Sequence, residues 1–252
     1  NIIFNLIIVK MMDNGRITKE LKELADGVKN VSIFNIYQYS SDGIKGVKKL
    51  VHKADIIFDA TSSKSNDMII KEIGKFLKKK YFINLTPSKA GEYIVPYINK
   101  KKIPFISNLI TCGGQTSIPI IKEIHQVLKK KLKYVELVSS ISSKSAGAAT
   151  RENINEYIIS TESAIKQLTR VKDTKVIINI NPSDPPINMM NSLFFELNKP
   201  LNKRNFSQIN TRIKHINKII KSYIPNYNVK MFPQLEKKIL RITIRVIGQG
   251  RS

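Results

Sequence analysis

The fold is decided by residues 54–85, which read ADIIFDATSSKSNDMIIKEIGKFLKKKYFINL. The apolar residues at the two ends of this stretch predict two strands, and the helical spacing between them predicts a helix over 65–79. A strand candidate at 31–36 and a short helix over 44–52 continue the alternation toward the amino terminus. Strands that alternate with helices are typical of a parallel sheet with crossover helices, so we expect an α/β domain.

Small polar residues follow the two strands of this stretch. Asp59-Ala60-Thr61-Ser62 ends the first strand, and Leu85-Thr86-Pro87 ends the second. In open parallel sheets, ligands bind beyond the carboxyl ends of the strands. Both segments are therefore candidate walls of a cofactor crevice, although Thr-Ser and Thr-Pro after a strand are also ordinary turn sequences.

The second half of the chain follows a different pattern. Three strands and two helices are predicted there, at 134–141, 175–180, 239–246, 153–169 and 208–223. The last strand alternates apolar and polar residues, which is typical of a half-buried strand in an antiparallel or mixed sheet. We therefore expect two domains. Residues 1–110 would hold the parallel sheet, and residues 111–252 an α+β fold whose bare sheet face can meet a partner subunit.

The one cysteine of the chain lies in the stretch Thr111-Cys112-Gly113-Gly114-Gln115, just before a run with helical spacing. A thiol at a helix start is close to free N–H groups and to the positive end of the helix dipole, which favour a nucleophilic thiolate. The paired glycines would let a substrate carbonyl approach the backbone. Free cysteine is also among the most buried residue types, so an inert apolar role is the alternative.

A run of small residues, from Ser142 to Thr150, precedes the helix predicted at 153–169. Asn153 and Glu156 suit an N-cap and its reciprocal partner. Small side chains let backbone N–H groups reach a phosphate or a nicotinamide ring at a helix start. A tight connection before a helix has the same composition, so this pattern alone does not decide between the two roles.

Composition narrows the class of protein. A chain of 252 residues can bury a full core. One cysteine excludes an internal disulfide framework, and three distant histidines, His52, His125 and His215, leave no zinc-ligand spacing. The apolar opening at 1–9 lacks a basic lead and a small-residue cleavage site, so we interpret it as core. No segment has the length of a membrane span, and we expect a cytoplasmic protein.

The formal net charge of +24 is extreme, and such a field attracts nucleic acids and other polyanions. A basic nucleic-acid-binding module is therefore an alternative function. The lysines are scattered, however, and short clusters at 78–80, 100–102 and 129–131 lie at the ends of predicted elements. None is interleaved with aromatic residues for base stacking. We therefore favour a solvated surface over a nucleic-acid site.

Six stretches carry a resemblance to a known family. They are Phe58-Asp59-Ala60-Thr61-Ser62, Leu85-Thr86-Pro87, Asn108 to Gln115, Ser142 to Gly147, Thr150 to Asn153 and Asn181 to Pro186. In order and approximate spacing they resemble the acylating acetaldehyde dehydrogenases that work with a 4-hydroxy-2-oxovalerate aldolase in the degradation of aromatic compounds. The resemblance implies a Rossmann domain that binds NAD, followed by a catalytic and dimerisation domain.

The resemblance also implies the chemistry and the site. Cys112 would form an acyl thioester as acetaldehyde, NAD and CoA are converted to acetyl-CoA and NADH, with the N–H groups of Gly113 and Gly114 as oxyanion donors. His125, about 20 Å along the helix, is too far away to be the base. The implied NAD site comprises Asn1, Ile2, Ser145, Ala146, Gly147, Ala148, Ala149, Thr150, Arg151, Glu152 and Asn153.

Several positions depart from the family pattern. We expect the strand before the glycine-rich phosphate loop and a C-terminal segment to be absent, and Ile3 takes the place of a loop glycine. Tyr37 takes the place of an acidic residue suited to the ribose hydroxyls. Met190 and Asn191 replace an arginine and an aspartate that serve proton transfer, and asparagine cannot accept a proton. Asn191 is thus the second catalytic position, and a degenerate subunit that keeps dimer and aldolase contacts is the alternative to an active enzyme.

Overall fold

A computed structural model describes residues 6–10, 31–35, 48, 51–99, 103–146, 151 and 154–247. The chain divides into two compact units. The first comprises Asn1–Ile94, Lys101–Ile110 and Ala148–Glu156, and the second comprises Val95–Lys100, Thr111–Gly147 and Tyr157–Ser252. Each unit is built around its own sheet.

The first unit contains a parallel sheet. Its strands are β1 (Leu6–Lys10), β2 (Val31–Asn35), β3 (Ile56–Ala60), β4 (Tyr81–Asn84), β5 (Glu92–Tyr93) and β6 (Ile106–Asn108). They lie in the order β2-β1-β3-β4-β6-β5, and neighbouring strands pair in parallel. Helix α1 (Ser63–Ile73) connects β3 to β4. The Rossmann-type α/β class expected for this part of the chain is confirmed.

The centre of this sheet holds a strand that the sequence did not predict. β1 pairs with β2 on one side and with β3 on the other. Its sequence, LIIVK, is a continuous apolar run rich in β-branched residues, which suits a strand with neighbours on both sides. The sequence analysis assigned this stretch to the core without predicting a strand there, and the expected absence of the strand that ends in the phosphate loop stays a prediction. Ile3 and Tyr37 lie outside the described residues.

The core of the first unit forms between the sheet and α1. Its fully buried members include Val51, Ile57, Ile69, Ile73 and Phe82. Each such side chain stabilises the fold by about 1.5–3 kcal/mol through burial. Helix α1 begins after Ser62, whose hydroxyl accepts the Ser65 N–H at 3.3 Å. The helix ends before residue 79 because the chain tightens into a 3-10 turn at Gly74–Phe76.

The second unit contains a mixed sheet. Its strands are β7 (Leu132–Ser142), β8 (Thr174–Asn181), β9 (Met189–Leu197), β10 (Tyr227–Glu236) and β11 (Ile239–Val246). They lie in the order β10-β11-β9-β7-β8, in which β7 and β8 are parallel and the other neighbours antiparallel. The expected α+β fold with a mixed sheet is confirmed. The sequence did not predict β9, because Asn191 lies on its buried side and Phe194 on the other, which hides the alternation.

Three helices accompany this sheet in the chain: α2 (Cys112–Leu128), α3 (Ile154–Thr169) and α4 (Lys203–Lys221). Helix α2 packs against α4. The fully buried residues of α4 recur every three or four positions, at Ile209, Ile213, Ile216 and Ile220. The buried carboxylate of Glu123 on α2 accepts hydrogen bonds from Arg212 of α4 at 2.7 Å and from Tyr97 at 2.8 Å. These contacts hold α2, and with it the residue at its start, in one place.

Among the residues that the structure describes, no helix combines the length and the apolar character needed to cross a membrane.

Candidate active site

Cys112 is the first residue of α2. Thr111 precedes it as the N-cap with an extended backbone, and Thr111 Oγ1 accepts the Gly114 N–H at 3.0 Å. Much of α2 is buried, including Gly113 and Gly114, but Cys112 is exposed. Cys112 is thus an accessible residue at the end of a rigid, buried helix, and this favours a reactive cysteine over an inert one.

Hydroxyl groups connect the start of α2 to α3. Thr161 Oγ1 donates to the Tyr157 carbonyl at 2.6 Å, so it accepts the hydrogen of Thr111 Oγ1, 2.8 Å away. Thr111 Oγ1 in turn accepts the Gly114 N–H. These side chains are buried, and their hydrogen bonds run in one direction from Gly114 to Tyr157. The chain of bonds fixes the Tyr157 backbone beside the start of α2.

The Tyr157 hydroxyl lies next to the cysteine. Its oxygen accepts the Gly113 N–H at 3.2 Å and lies 3.8 Å from Cys112 Sγ, within the range of hydrogen bonds to sulfur. A Cβ on Gly113 would overlap the Tyr157 hydroxyl and lie 2.6 Å from Ser139 Oγ. The missing side chain at position 113 therefore makes room for the tyrosine.

The predicted oxyanion donors are already engaged. The Gly113 N–H donates to Tyr157 Oη, and the Gly114 N–H donates to Thr111 Oγ1. Both N–H groups are thus engaged within the protein in this arrangement, and their role as oxyanion donors stays a prediction. The hydroxyl hydrogen of Tyr157 is not used by either bond.

The surroundings of Cys112 raise the pKa of its thiol above the ordinary value of 9.0, chiefly because the many protein atoms around this exposed residue displace water. Hydrogen bonds with Tyr157 and with the Gly113 N–H lower that pKa by less. The predicted lowering at the helix start is wrong, because desolvation outweighs these bonds. Burial also raises the pKa of Tyr157 above its ordinary value of 10.0, so the phenol keeps its proton.

Asn191, the second predicted catalytic position, lies beneath the start of α2. The residue is fully buried on β9, and its Nδ2 donates to Thr116 Oγ1 at 2.7 Å and to Ser117 Oγ at 3.1 Å. Thr116 Oγ1 donates to the Cys112 carbonyl at 2.8 Å. Asn191 therefore reaches Cys112 through Thr116, and its amide contributes hydrogen bonds to the helix rather than a proton acceptor.

Two buried oxygen atoms below α2 have no hydrogen-bond partner among the described residues, Ser139 Oγ and Asn191 Oδ1. The two residues face each other across the β7 and β9 pairing, and both are fully buried. Unpaired polar atoms in a native interior are uncommon and call for an explanation. We refer to the residues that surround this place as the cysteine cluster: Cys112, Gly113, Thr116, Ser139, Tyr157 and Asn191.

A second group of buried polar side chains lies at the carboxyl ends of β3 and β4 in the first unit. We refer to it as the strand-end network, which comprises Asp59, Asn66, Asn84, Thr86 and Ser88. The Asp59 carboxylate accepts the Thr61 N–H at 2.9 Å and a short hydrogen bond from Asn66 Nδ2. Thr86 Oγ1 donates to the Thr61 carbonyl at 2.6 Å. These bonds hold the turns that follow the two strands.

The remaining atoms of the strand-end network are also paired. Asn66 Oδ1 accepts hydrogen bonds from Asn84 Nδ2 at 3.3 Å and from Ser88 Oγ at 3.0 Å. Asn84 Oδ1 accepts the Thr86 N–H at 2.8 Å. The predicted role of these turns as walls of a crevice stays a prediction, and the side chains behind them form a closed set of hydrogen bonds.

Most of the predicted NAD site falls outside the described residues, namely Asn1, Ile2, Gly147, Ala148, Ala149, Thr150, Glu152 and Asn153. Ser145 and Ala146 lie in the turn after β7, where their N–H groups donate to the Ser142 carbonyl at 3.0 and 3.1 Å. Arg151 is exposed. The predicted place of Ser145, Ala146 and Arg151 in an NAD site stays a prediction.

His125 and several lysines line a cavity at the carboxyl-terminal end of α2. A surface cavity of about 520 Å³ there is lined by His125, Lys129, Lys130, Leu132, Lys133, Arg170, Val171, Lys172, Asp173 and Asn198. Burial and the nearby Arg170 lower the pKa of His125. About 20 Å of helix separates this end from Cys112, so the cavity is distinct from the cysteine cluster. No group of His, Cys, Asp and Glu suited to a metal ion occurs in the described part of the chain.

Sequence reasoning missed Tyr157, Thr161 and Ser139. No spacing rule brings Tyr157 next to a cysteine 45 positions earlier, because that contact depends on how α3 packs against α2. Ser139 had a signal: it occupies the buried face of β7 with Val135 and Leu137, where the alternation predicts an apolar residue. A polar residue in that place indicates a specific hydrogen-bonding or functional role.

Comparisons with known proteins give independent information on the chain. Residues 112–252 match the family model described as "Prokaryotic acetaldehyde dehydrogenase, dimerisation". An acetaldehyde dehydrogenase of Pectobacterium atrosepticum is 34% identical over 228 residues, which cover 89% of this chain and 74% of that protein. An acetaldehyde dehydrogenase of Burkholderia thailandensis is 36% identical over 231 residues, with 90% and 74% covered.

Solved structures support the fold. The crystal structure of aspartate semialdehyde dehydrogenase II from Vibrio cholerae matches with a TM-score of 0.63, covering 97% of this chain and 93% of that chain. A second crystal structure of that protein, complexed with ASA, matches with a TM-score of 0.59. Sequence identity is 9% in both cases, so these matches bear on the fold alone.

Proposed function

This chain belongs to the acetaldehyde dehydrogenase family, and from that premise we propose that it is a CoA-acylating aldehyde dehydrogenase with Cys112 as its nucleophile. The substrates would be acetaldehyde or another short aldehyde, NAD and CoA, and the products the acyl-CoA and NADH. The observation that carries the proposal is the exposed Cys112 at the start of a buried helix, 3.8 Å from the Tyr157 hydroxyl.

The proposed reaction begins when the Cys112 thiol gives its proton to solvent water and its sulfur attacks the aldehyde carbon. A carbon–sulfur bond forms, and the carbonyl π electrons move to oxygen. The oxygen lone pair then reforms the carbonyl as hydride leaves the carbon, which gives a thioester on Cys112. A nicotinamide dinucleotide, when bound, would accept that hydride. The thiolate of CoA finally attacks the thioester carbon and releases the Cys112 thiolate, which regains a proton.

The protein's own groups assist at defined atoms in this proposal. The Tyr157 hydroxyl has a hydrogen available beside the sulfur, since its oxygen accepts from Gly113. Thr116 Oγ1 donates to the Cys112 carbonyl and fixes the first turn of α2. Asn191 supports Thr116 but cannot take the thiol proton. Because the pKa of the Cys112 thiol is raised, we expect the rate to increase with pH as the thiol ionises.

For the cofactor, we retain the residues that the resemblance implies. Of these, Ser145, Ala146 and Arg151 are described. Arg151 is an exposed cation, which suits the pyrophosphate of a dinucleotide, and Ser145 and Ala146 have small side chains that allow close approach. The parallel sheet of the first unit is the fold in which dinucleotides bind beyond the strand ends. The charge of Arg151, the small side chains of Ser145 and Ala146 and the fold of the first unit are therefore compatible with a bound dinucleotide.

The second candidate function is a catalytically degenerate subunit that retains contacts with a partner. The observation that favours it is Asn191, which occupies the place of an acid and uses its amide to hold α2. Because the matched family model describes a dimerisation region, we propose a homodimer in either case. A 4-hydroxy-2-oxovalerate aldolase is the proposed second partner.

The experiment that separates these functions measures NADH formation from acetaldehyde, NAD and CoA, with Cys112→Ser as the control. We expect turnover that needs all three substrates and that Cys112→Ser abolishes. Turnover without CoA would instead indicate a non-acylating dehydrogenase. No turnover above the Cys112→Ser control, together with co-purification of an aldolase, would support the degenerate subunit. Binding of single-stranded nucleic acid that persists at high salt would favour the basic binding module.

A further inference from the structure

We propose that the Tyr157 hydroxyl is the hydrogen-bond donor that controls the reactivity of the Cys112 sulfur. The inference rests on the proposed function in one respect, namely that Cys112 is the nucleophile. It assigns to Tyr157 a direct contact with the reacting atom, through the 3.8 Å separation of Oη and Sγ.

The direction of the hydrogen bond follows from the partners of the hydroxyl. Tyr157 Oη accepts the Gly113 N–H at 3.2 Å, which uses one of its lone pairs and leaves its hydrogen free to donate. The nearby Ser139 hydroxyl has no partner at hydrogen-bond geometry among the described residues, and its effect on Tyr157 is to lower the pKa of the phenol, as a group that donates to the phenol oxygen does. It therefore does not take up the phenol hydrogen. A thiolate is a far better acceptor than a thiol, and the bond is therefore strongest once Cys112 has lost its proton.

Two independent features of the structure hold the tyrosine in this place. The Gly114, Thr111 and Thr161 hydrogen bonds end on the Tyr157 carbonyl and fix its backbone. The missing Cβ of Gly113 leaves the space that the hydroxyl occupies. Tyr157 is only 2% exposed, so the side chain has little freedom to turn away from the sulfur.

The electrostatics of the site agree with this role. Burial raises the pKa of Tyr157, so the phenol remains a donor over the range in which a thiol titrates. Tyr157 is also the titratable side chain that acts on Cys112, where its hydrogen bond lowers the pKa of the thiol against the effect of desolvation. The other contributions come from the backbone N–H groups of Gly113 and Cys112. Removal of the hydroxyl should therefore leave desolvation largely unopposed.

The test uses the single cysteine of the chain as its own reporter. The rate of alkylation by iodoacetamide, followed against pH, gives the midpoint of thiol ionisation without aldehyde, NAD or CoA. In Tyr157→Phe we expect the midpoint to rise by about one pH unit, as the loss of a hydrogen bond to a charged group predicts. Because thiolates of higher pKa are more nucleophilic, the rate should fall about threefold below the midpoint and exceed that of wild type about threefold above it.

Tyr227→Phe is the matched control. Tyr227 is also fully buried, and its hydroxyl donates to the Thr116 carbonyl on the same helix at 3.3 Å, away from the sulfur. This variant loses a buried hydroxyl bonded to α2 and should keep the wild-type midpoint. An unchanged midpoint in Tyr157→Phe, or an equal rise in Tyr227→Phe, would overturn the proposal.

A second variant covers the case in which Tyr157→Phe does not fold. Thr161→Val removes the hydroxyl that links Thr111 to the Tyr157 carbonyl but keeps the phenol. We expect a smaller rise of the midpoint in the same direction, and an unchanged midpoint in this folded variant would then count against the proposal. A shifted midpoint combined with no NADH formation would contradict the proposed enzyme while leaving the role of Tyr157 intact.

Discussion

The strand-end network and the cysteine cluster are both buried sets of polar side chains, one in each unit, and they differ in how completely their atoms are paired. In the strand-end network, Asp59, Asn66 and Asn84 all have partners for their side-chain oxygens. In the cysteine cluster, Ser139 Oγ and Asn191 Oδ1 have none among the described residues.

The difference separates a structural role from a functional one. A buried polar group that is fully paired stabilises one arrangement of the chain, and removing a partner leaves its neighbours unpaired at a cost of about 1–3 kcal/mol each. A buried group without a partner contributes no such bond to stability. Where it lies beside a reactive atom, a functional role explains its presence. The strand-end network should therefore govern stability, and the cysteine cluster should govern the chemistry of the thiol.

The largest expected effect comes from adding a Cβ at Gly113, in the space that the Tyr157 hydroxyl occupies. In Gly113→Ala the new Cβ overlaps the hydroxyl of Tyr157, which is buried and cannot withdraw. Overpacking usually costs 1–3 kcal/mol, and displacement of the tyrosine adds to it, so we expect a loss of roughly 4 kcal/mol. Urea unfolding would measure the loss of stability, and NADH formation should fall by at least about 100-fold.

Gly74→Ala is the control for this substitution. A Cβ on Gly74 would find Ile70 Cγ2 at 3.9 Å, an ordinary contact, and the backbone there is right-handed. Its free energy of unfolding should stay within about 1 kcal/mol of wild type. Equal stability of the two variants would show that the space beside Tyr157 is not restricted.

The next largest effect should come from the centre of the strand-end network. Asn66→Ala removes a donor to Asp59 and an acceptor for Asn84 and Ser88 at once. We expect a loss of about 3 kcal/mol in urea unfolding, with no change in the alkylation midpoint of the cysteine. Asn191→Ala should cost less, about 1–2 kcal/mol, because the side-chain oxygen of Asn191 has no partner among the residues that the structure describes. The reverse order would mean that pairing does not distinguish the two groups.

The pH dependence of stability should report on the strand-end network through its buried carboxyl group, Asp59. Desolvation raises the pKa of the buried Asp59 carboxyl above its ordinary value of 3.8, although hydrogen bonds with Asn66 and Thr61 oppose the rise. The folded protein therefore binds this proton more tightly than the unfolded chain does. The resulting stability is fully present below pH 3.8 and is lost as pH rises through the folded pKa.

Asp59→Asn removes this titration and is the variant that tests it. Relative to the variant, wild type should become less stable as the pH is raised from acid toward neutral, as measured by urea unfolding at each pH. A difference between the two proteins that stays constant with pH would show that the Asp59 carboxyl keeps its ordinary pKa when folded.

The general fold could be predicted because it depends on local patterns. Alternating strand and helix signals gave the parallel sheet, and the strict alternation of Ile239–Val246 matched β11 residue for residue. β1 was missed because a short apolar run alone does not distinguish a strand from other buried structure. β9 was missed because its buried face includes Asn191, and the reason for a polar residue there lies in Thr116 and Ser117 of another element.

The candidate site was predictable only in its first residue. Cys112 and its helix follow from the sequence around it, since the N-cap threonine and the helical spacing are local. The partners of Cys112 depend on the packing of α3 and the pairing of β7 with β9, which no local pattern encodes. The sign of the pKa shift was missed for the same reason, because desolvation depends on atoms from distant parts of the chain.

The smallest expected effect comes from removing one serine hydroxyl from each group, so that the same chemical change is compared in the strand-end network and in the cysteine cluster. Ser88 and Ser139 are both fully buried, but Ser88 Oγ donates to Asn66 and accepts from Asn84, whereas Ser139 Oγ has no partner at hydrogen-bond geometry in the described part of the chain. Ser88→Ala should lose about 1–2 kcal/mol of unfolding free energy, and Ser139→Ala should stay within about 0.5 kcal/mol of wild type or become more stable. A loss in Ser139→Ala as large as in Ser88→Ala would mean that the Ser139 hydroxyl is hydrogen-bonded in solution, and that the cysteine cluster is as closed as the strand-end network.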